Sequence, residues 1–379
     1  MTPIKVLIVD DSAFLRNTIK RILTIPEIEV VGTAENGKIG VELAYELEPD
    51  IITMDIEMPV MNGLEALKEI MSLCPTPVIM VSTLTSEGAE ATFEALSLGA
   101  IDFITKHTGF GEVMSMKEEL ISKIIAIATN ISLRNRFILK RRLIKTAKFK
   151  AAIAQSSAIE HQEIKEISKP SSESKIIRTI SNPKPLKSEI SVVSIGVSTG
   201  GPYALQTLFK ALPGIIPVGI LITLHMPAEF TKSLANRLNN CSLLSVKEAQ
   251  TGDTIDPKCA YLAPGGRQMV VNRNRNIIIT DEPKTSLFKP SVNVTMNSLV
   301  NIYGKRFVGV MMTGMGNDGL EALTNLHKAG GYVIAQDLES CVVGGMPKSV
   351  MDANLACEIH PLDSLAGAIA GLFGLHAVS

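Results

Sequence analysis

Three residues far apart in the chain have the types and settings of a nucleophile, a base and its orienting acid. Ser198 sits in Ile195-Gly196-Val197-Ser198-Thr199-Gly200-Gly201-Pro202, after a β-branched run and ahead of helical spacing from Tyr203 to Leu212. Glycines at a strand-to-helix turn permit the tight backbone that exposes a serine hydroxyl. Taken alone, such a turn serves equally as a plain βα connection or a phosphate-binding loop. A serine needs a base to take its proton during attack, and a neutral imidazole does so near pH 7. His225 follows the apolar run Val218 to Thr223, and Asp318 lies in Gly316-Asn317-Asp318-Gly319 after Phe307 to Met312. The carboxylate would fix the imidazole tautomer and stabilise the imidazolium. The other histidines, His107, His161, His327, His360 and His376, lack a comparable glycine-rich, strand-end setting. The order Ser…His…Asp differs from the Ser…Asp…His order of the α/β-hydrolases, so the turn does not imply that fold.

A second constellation lies near the N-terminus. Asp10 and Asp11 follow Lys5 to Val9, Asp55 follows Ile51 to Met54, Ser82 ends Val78 to Val81, and Lys106 follows Asp102 to Ile104. Three carboxylates with one lysine form a hard oxygen site suited to Mg²⁺. One carboxylate could attack a phosphoryl group while the metal and Lys106 neutralise its oxygens.

Both constellations need a sheet edge that gathers strand ends. The runs of β-branched residues are continuous rather than alternating, as expected of strands buried on both faces of a parallel sheet. Five strand–helix units fill residues 1–130, ending in an amphipathic segment from about Met114 to Asn130. A second series begins at Ile190. The predicted fold class is α/β, with two doubly wound parallel-sheet domains, flavodoxin-like over 1–130 and Rossmann-like over 190–379, whose ligands meet the carboxyl ends of the strands. Residues 131–189 form a basic linker. Its front half could extend the preceding helix, and its Ser/Pro/Lys-rich back half reads as flexible.

The chain has 379 residues and 46% hydrophobic content, enough for two cores, and its formal charge of −1 gives no global pull toward nucleic acid or membrane. The five cysteines show no paired or metal-type spacing, which fits a reducing cytoplasm. The N-terminus lacks a signal-peptide pattern, and no apolar window has the length to span a bilayer. The basic linker lacks aromatics and a reader motif, so a solvated segment is expected there, not a nucleic-acid site.

The motifs IVDDS, MDIEMPVMNG, MVS and DFITK resemble the response-regulator receiver domain. SIGVSTGGP, LITLHMP, YLAPGG, KPSVNV and GVMMTGMGNDG resemble the catalytic domain of chemotaxis protein-glutamate methylesterases, the CheB family. The resemblance covers almost the full chain. It implies phosphorylation of Asp55 by a histidine kinase, Mg²⁺ held by Asp10, Asp11, Asp55 and the Glu57 carbonyl, and switch roles for Ser82 and Lys106. It also implies Ser198, His225 and Asp318 as the triad, acting on methyl esters, with glutamine deamidation as well, on chemoreceptor cytoplasmic helices. No metal is expected in that half. Thr199 and the Met315 loop are candidate oxyanion donors. His107, Gln268 and Gly344 depart from common family residues. A binding protein that lost catalysis and a DNA-binding regulator are the competing readings. The intact triad speaks against the first, and the large second α/β domain against the other.

Overall fold

The computed structural model describes residues 2–106, 110–156, 177–178, 185 and 189–378. The first half runs β1 (Ile4–Val9), α1 (Ala13–Ile22), β2 (Ile28–Ala34), α2 (Gly37–Leu47), β3 (Ile51–Asp55), α3 (Gly63–Leu73), β4 (Val78–Ser82), α4 (Ser86–Leu98), β5 (Asp102–Thr105) and α5 (Phe110–Thr129). The strands pair in parallel in the order β2-β1-β3-β4-β5, the flavodoxin-like arrangement. Val6 to Val9, Ile51, Ile52 and Val78 to Val81 are buried, which is why these runs do not alternate in polarity. Ser12, Asn36, Asn62 and Thr85 each accept a backbone N–H of the first turn of the next helix. The helix-starting loops are thus held rigid at the edge that carries the acids.

At Asn130 the structure departs from simple extension of the last helix. The Asn130 side chain accepts the Leu133 N–H and starts a separate helix, α6 (Ile131–Ser156). This front half of the expected linker is docked, not free. Leu133 is buried, and Arg141 donates to the Pro75 and Pro49 carbonyls and the Thr76 hydroxyl at the amino edge of the first sheet. Most of the expected flexible back half, and His107, lie outside the described residues.

The second half contains β6 (Ile177–Arg178), β7 (Val192–Val197), α7 (Gly201–Ala211), β8 (Gly219–Leu224), α8 (Ala228–Cys241), β9 (Ser245–Glu248), β10 (Cys259–Leu262), β11 (Gln268–Val271) and β12 (Ile277–Thr280). It continues with α9 (Val292–Tyr303), β13 (Phe307–Met311), α10 (Leu320–Lys328), β14 (Tyr332–Gln336), α11 (Gly345–Asp352), β15 (Glu358–His360) and α12 (Leu362–Gly371). The large sheet has the order β6-β15-β14-β13-β7-β8-β10-β9, and only the edge strand β6 is antiparallel. The chain moves outward in opposite directions from β7, through β8 on one side and β13 on the other. That reversal is the switch point where open α/β sheets bind ligands. The expected strand at Ile277 to Thr280 forms, but in a separate antiparallel ribbon with β11.

The two halves touch closely. Phe103 of β5 stacks on Phe230 of α8, with ring centroids 4.6 Å apart, and Phe93 meets the same ring edge-on at 6.3 Å. Arg237 bonds to Ser97. The Asn130 amide donates to the Cys341 and Val342 carbonyls at 3.0 and 2.9 Å. Buried apolar residues run continuously from one half into the other through this contact.

Candidate active site and phosphoryl site

Ser198, His225 and Asp318 follow β7, β8 and β13, three adjacent strands, and the structure brings them together. The Ser198 N–H donates to the Thr313 carbonyl at 3.0 Å, and Gly201 N–H closes the turn onto the Ser198 carbonyl at 2.7 Å. Gly200 has φ +74°, and a Cβ there would stand 2.5 Å from Val342 Cβ. Across the turn, a Cβ on Gly314 would fall 2.9 Å from Ser198 Cβ. The turn therefore strongly favours glycine at both places.

His225 Nδ1 lies 3.1 Å from Ser198 Oγ, and Nε2 lies 2.8 Å from Asp318 Oδ2. With the proton on Nε2 donated to Asp318, Nδ1 presents its lone pair to the serine hydroxyl. Asp318 also accepts the Ser291 hydroxyl and the Asn293 N–H on Oδ1, and the Val292 N–H on Oδ2. Burial works to raise the Asp318 carboxyl, but the His225 hydrogen bond and charge and the two backbone donors outweigh it and hold it below its ordinary value. The Phe288 ring lies flat on the imidazole, centroids 4.1 Å apart and planes 6° apart.

Thr199 and Met315 flank the serine, and neither backbone N–H has a hydrogen-bond partner among the described residues. The Thr313 hydroxyl ties the neighbourhood together. It donates to the Thr199 carbonyl at 2.9 Å and accepts the Val342 and Val343 N–H groups. A cleft of about 760 Å³ opens here. Its lining joins Ser198, His225, Met226, Phe288 and Met315 with Phe103, Glu119 and Lys123 of the first half.

At the first sheet, Asp10, Asp11 and Asp55 can each direct an oxygen to a common point, all within 4.8 Å of one another. Asp10 Oδ2 and Asp55 Oδ2 are buried without a hydrogen-bond partner beyond the Lys106 ammonium, which stands 3.5 and 2.6 Å away. Buried carboxylate oxygens this poorly paired fit a hard cation such as Mg²⁺. Burial pushes the Asp55 carboxyl up to about 6, with Lys106 opposing and Asp10 adding to the rise. The Glu57 N–H points to Asp55 Oδ1 at 3.4 Å. Ser82 is buried beside this group, but its hydroxyl turns to the Gly88 carbonyl at 3.1 Å.

Arg16 was not singled out from the sequence. It donates to the Asp10 and Asp11 carbonyls and so holds the acidic loop. Its placement one turn into α1, facing back over the loop, was the available signal. Asn130 carried no signal beyond its capping propensity, and Ser291 lay within the family-like motif KPSVNV without a role of its own. Of the three departures from common family residues, Gln268 is fully buried behind the triad, and Gly344 lies at the start of α11.

Fold and sites define the class: an α/β protein joining an acidic, lysine-capped sheet edge to a Ser–His–Asp cleft. The response regulator receiver domain model matches residues 6–118, and the CheB methylesterase model matches 193–369. A protein-glutamate methylesterase/protein-glutamine glutaminase of Lawsonia intracellularis is 43% identical, over 97% of this chain and 98% of that protein. One from Desulfitobacterium hafniense is 41% identical, over 96% of each. The solved catalytic domain of Thermotoga maritima CheB methylesterase is 37% identical, covering 48% of this chain and 97% of that one at a TM-score of 0.46. The chain belongs to the receiver-linked protein-glutamate methylesterase/protein-glutamine glutaminase family. Among the described residues, no helix is long and apolar enough to cross a membrane.

Proposed function

We propose that this protein is a cytoplasmic hydrolase that removes methyl groups from glutamate γ-esters on chemoreceptor helices, and deamidates glutamines there by the same chemistry. The observation that carries the reading is the continuous Ser198–His225–Asp318 hydrogen-bond chain, opening into a cleft in a chain of this family. Ser198 Oγ attacks the ester carbonyl as His225 Nδ1 takes its proton. The Thr199 and Met315 N–H groups receive the developing oxyanion, and each such donor is worth roughly 3–4 kcal/mol. The imidazolium returns its proton to the leaving methoxide, and methanol departs. Water, deprotonated by His225, then cleaves the glutamyl-serine ester. Asp318 keeps Nε2 protonated throughout.

In this reading Asp55 accepts a phosphoryl group from a histidine kinase. Asp10, Asp11, Asp55 and the Glu57 carbonyl would hold Mg²⁺, which neutralises phosphoryl oxygens, and Lys106 and Ser82 relay the change. The presence of Phe103, Glu119 and Lys123 in the cleft lining supports inhibition by occlusion. A receptor helix is about 10 Å wide with its side chains, and in this reading the first-half side chains that share the cleft restrict its approach to Ser198. A phosphoryl group on Asp55 would replace the carboxylate by a larger, more highly charged acyl phosphate and so loosen that restriction.

Methanol release from methylated receptor tests both parts. Ser198→Ala should release none while still accepting phosphate at Asp55. Phosphorylation should raise release by the wild type and leave Asp55→Asn unchanged. Normal turnover by Ser198→Ala would refute the assignment.

A further inference from the structure

The loop from Asp281 to Ser291 is mostly exposed, yet it delivers two contacts to the triad. Phe288 lies flat on His225, and Ser291 donates to Asp318. Gln268, at the start of β11, spans both points from behind and is fully buried. Its Nε2 donates to the Phe288 carbonyl at 2.7 Å, and its Oε1 accepts the Ser291 N–H at 2.8 Å. One amide therefore fixes two loop positions three residues apart. Losing either bond would strand a polar group in a dry place.

We propose that Gln268 and Phe288 are positioning residues for the His225–Asp318 pair. Gln268 sets the height of the loop. Phe288 then presses the imidazole into the plane in which Nδ1 meets Ser198 and Nε2 meets Asp318. An imidazole held only at its two nitrogens can still tilt about the line joining them. A parallel ring at 4.1 Å removes that freedom on one face. The aromatic face also carries negative charge density, so it favours the imidazolium formed when Ser198 gives up its proton. The inference rests on Ser198 being the nucleophile.

The test uses the full chain and a fluorophosphonate probe, independent of any receptor. Ser198 Oγ bonds to phosphorus, fluoride leaves, and the serine proton passes to His225. The rate constant is measured against pH. Besides Asp318, the charged groups that share the cleft with His225 are Glu229, Lys289, Asp102, Glu118, Glu119 and Lys123, and none of them is altered in the variants. Phe288→Leu should slow labelling roughly tenfold and move the acidic limb of the profile down by about half a pH unit. Phe288→Tyr should restore both. Gln268→Met removes both bonds without adding a charge, and should slow labelling and shift the limb in the same direction.

Wild-type rate and limb in Phe288→Leu, or no recovery in Phe288→Tyr, would overturn the role of Phe288. An unshifted Gln268→Met profile would remove Gln268. If the wild type labels at Ser198 yet releases no methanol from receptor, the substrate reading fails and this inference stands. If Ser198 does not label, both fail.

Discussion

Asp318 accepts four hydrogen bonds on two buried oxygens, from Ser291, Asn293, Val292 and His225. Asp318→Asn keeps the shape but replaces one acceptor oxygen by an NH2 group where two donors already point, so His225 loses its orienter. Turnover should fall by roughly 10⁴-fold, read as kcat for methanol release. The carboxyl is held below its unfolded value, so its contribution to stability is present above about pH 4. That contribution is lost as pH falls through the lower folded value. Acid unfolding should show this loss in the wild type and not in Asp318→Asn. Ser198, His225 and Asp318 were legible because each follows an apolar strand run, Ser198 and Asp318 in glycine-rich turns. Phe288 and Ser291 were not, since their loop has no periodicity and its shape depends on Gln268, a contact 20 or more residues away.

At the level of elements, β5 and α5 share a buried charge cluster. Lys123 Nζ lies 3.1 Å from Asp102 Oδ2 and 2.8 Å from Glu119 Oε1, and donates to the Phe103 carbonyl. Burial works against the ammonium, but the two carboxylates outweigh it and hold Lys123 charged well above its ordinary range. Lys123→Met would leave Asp102 buried and uncompensated. The receiver should lose about 3–5 kcal/mol, measured by urea unfolding. The five parallel strands could be anticipated because continuous β-branched runs have one interpretation in an alternating α/β chain. The short strands β9, β11 and β15 could not, since three or four residues of mixed polarity carry no period. Helix α6 has a basic composition that reads as solvated, yet Leu133, Phe137 and Arg141 recur every fourth residue on the face it docks.

At the scale of the molecule, the junction between α5 and α6 is bonded to the active-site loops. Asn130 holds the Cys341 and Val342 carbonyls, Val342 and Val343 donate to Thr313, and Thr313 holds the Thr199 carbonyl. Asn130→Asp preserves the helix cap but sets an anion against two carbonyls. The two lost bonds are worth about 1 kcal/mol each, so basal methanol release by the unphosphorylated chain should rise up to roughly thirtyfold. Unchanged basal release would mean that this contact does not restrain the cleft. None of these links was legible in the sequence, because they join residues from 29 to 212 positions apart with no periodic pattern between them.

The glycine turn around Ser198 belongs to this same assembly. Gly200 is pressed against Val342, whose carbonyl Asn130 holds, and Gly314 against Ser198 itself. A saturation library of the turn should therefore show an uneven tolerance map. Substitutions at Gly314 should abolish activity in every phosphorylation state. Small residues at Gly200 should displace Val342 and decouple the output from the signal before they abolish chemistry. The space beneath a nucleophile would then be a heritable control on basal activity, open to selection one methyl group at a time.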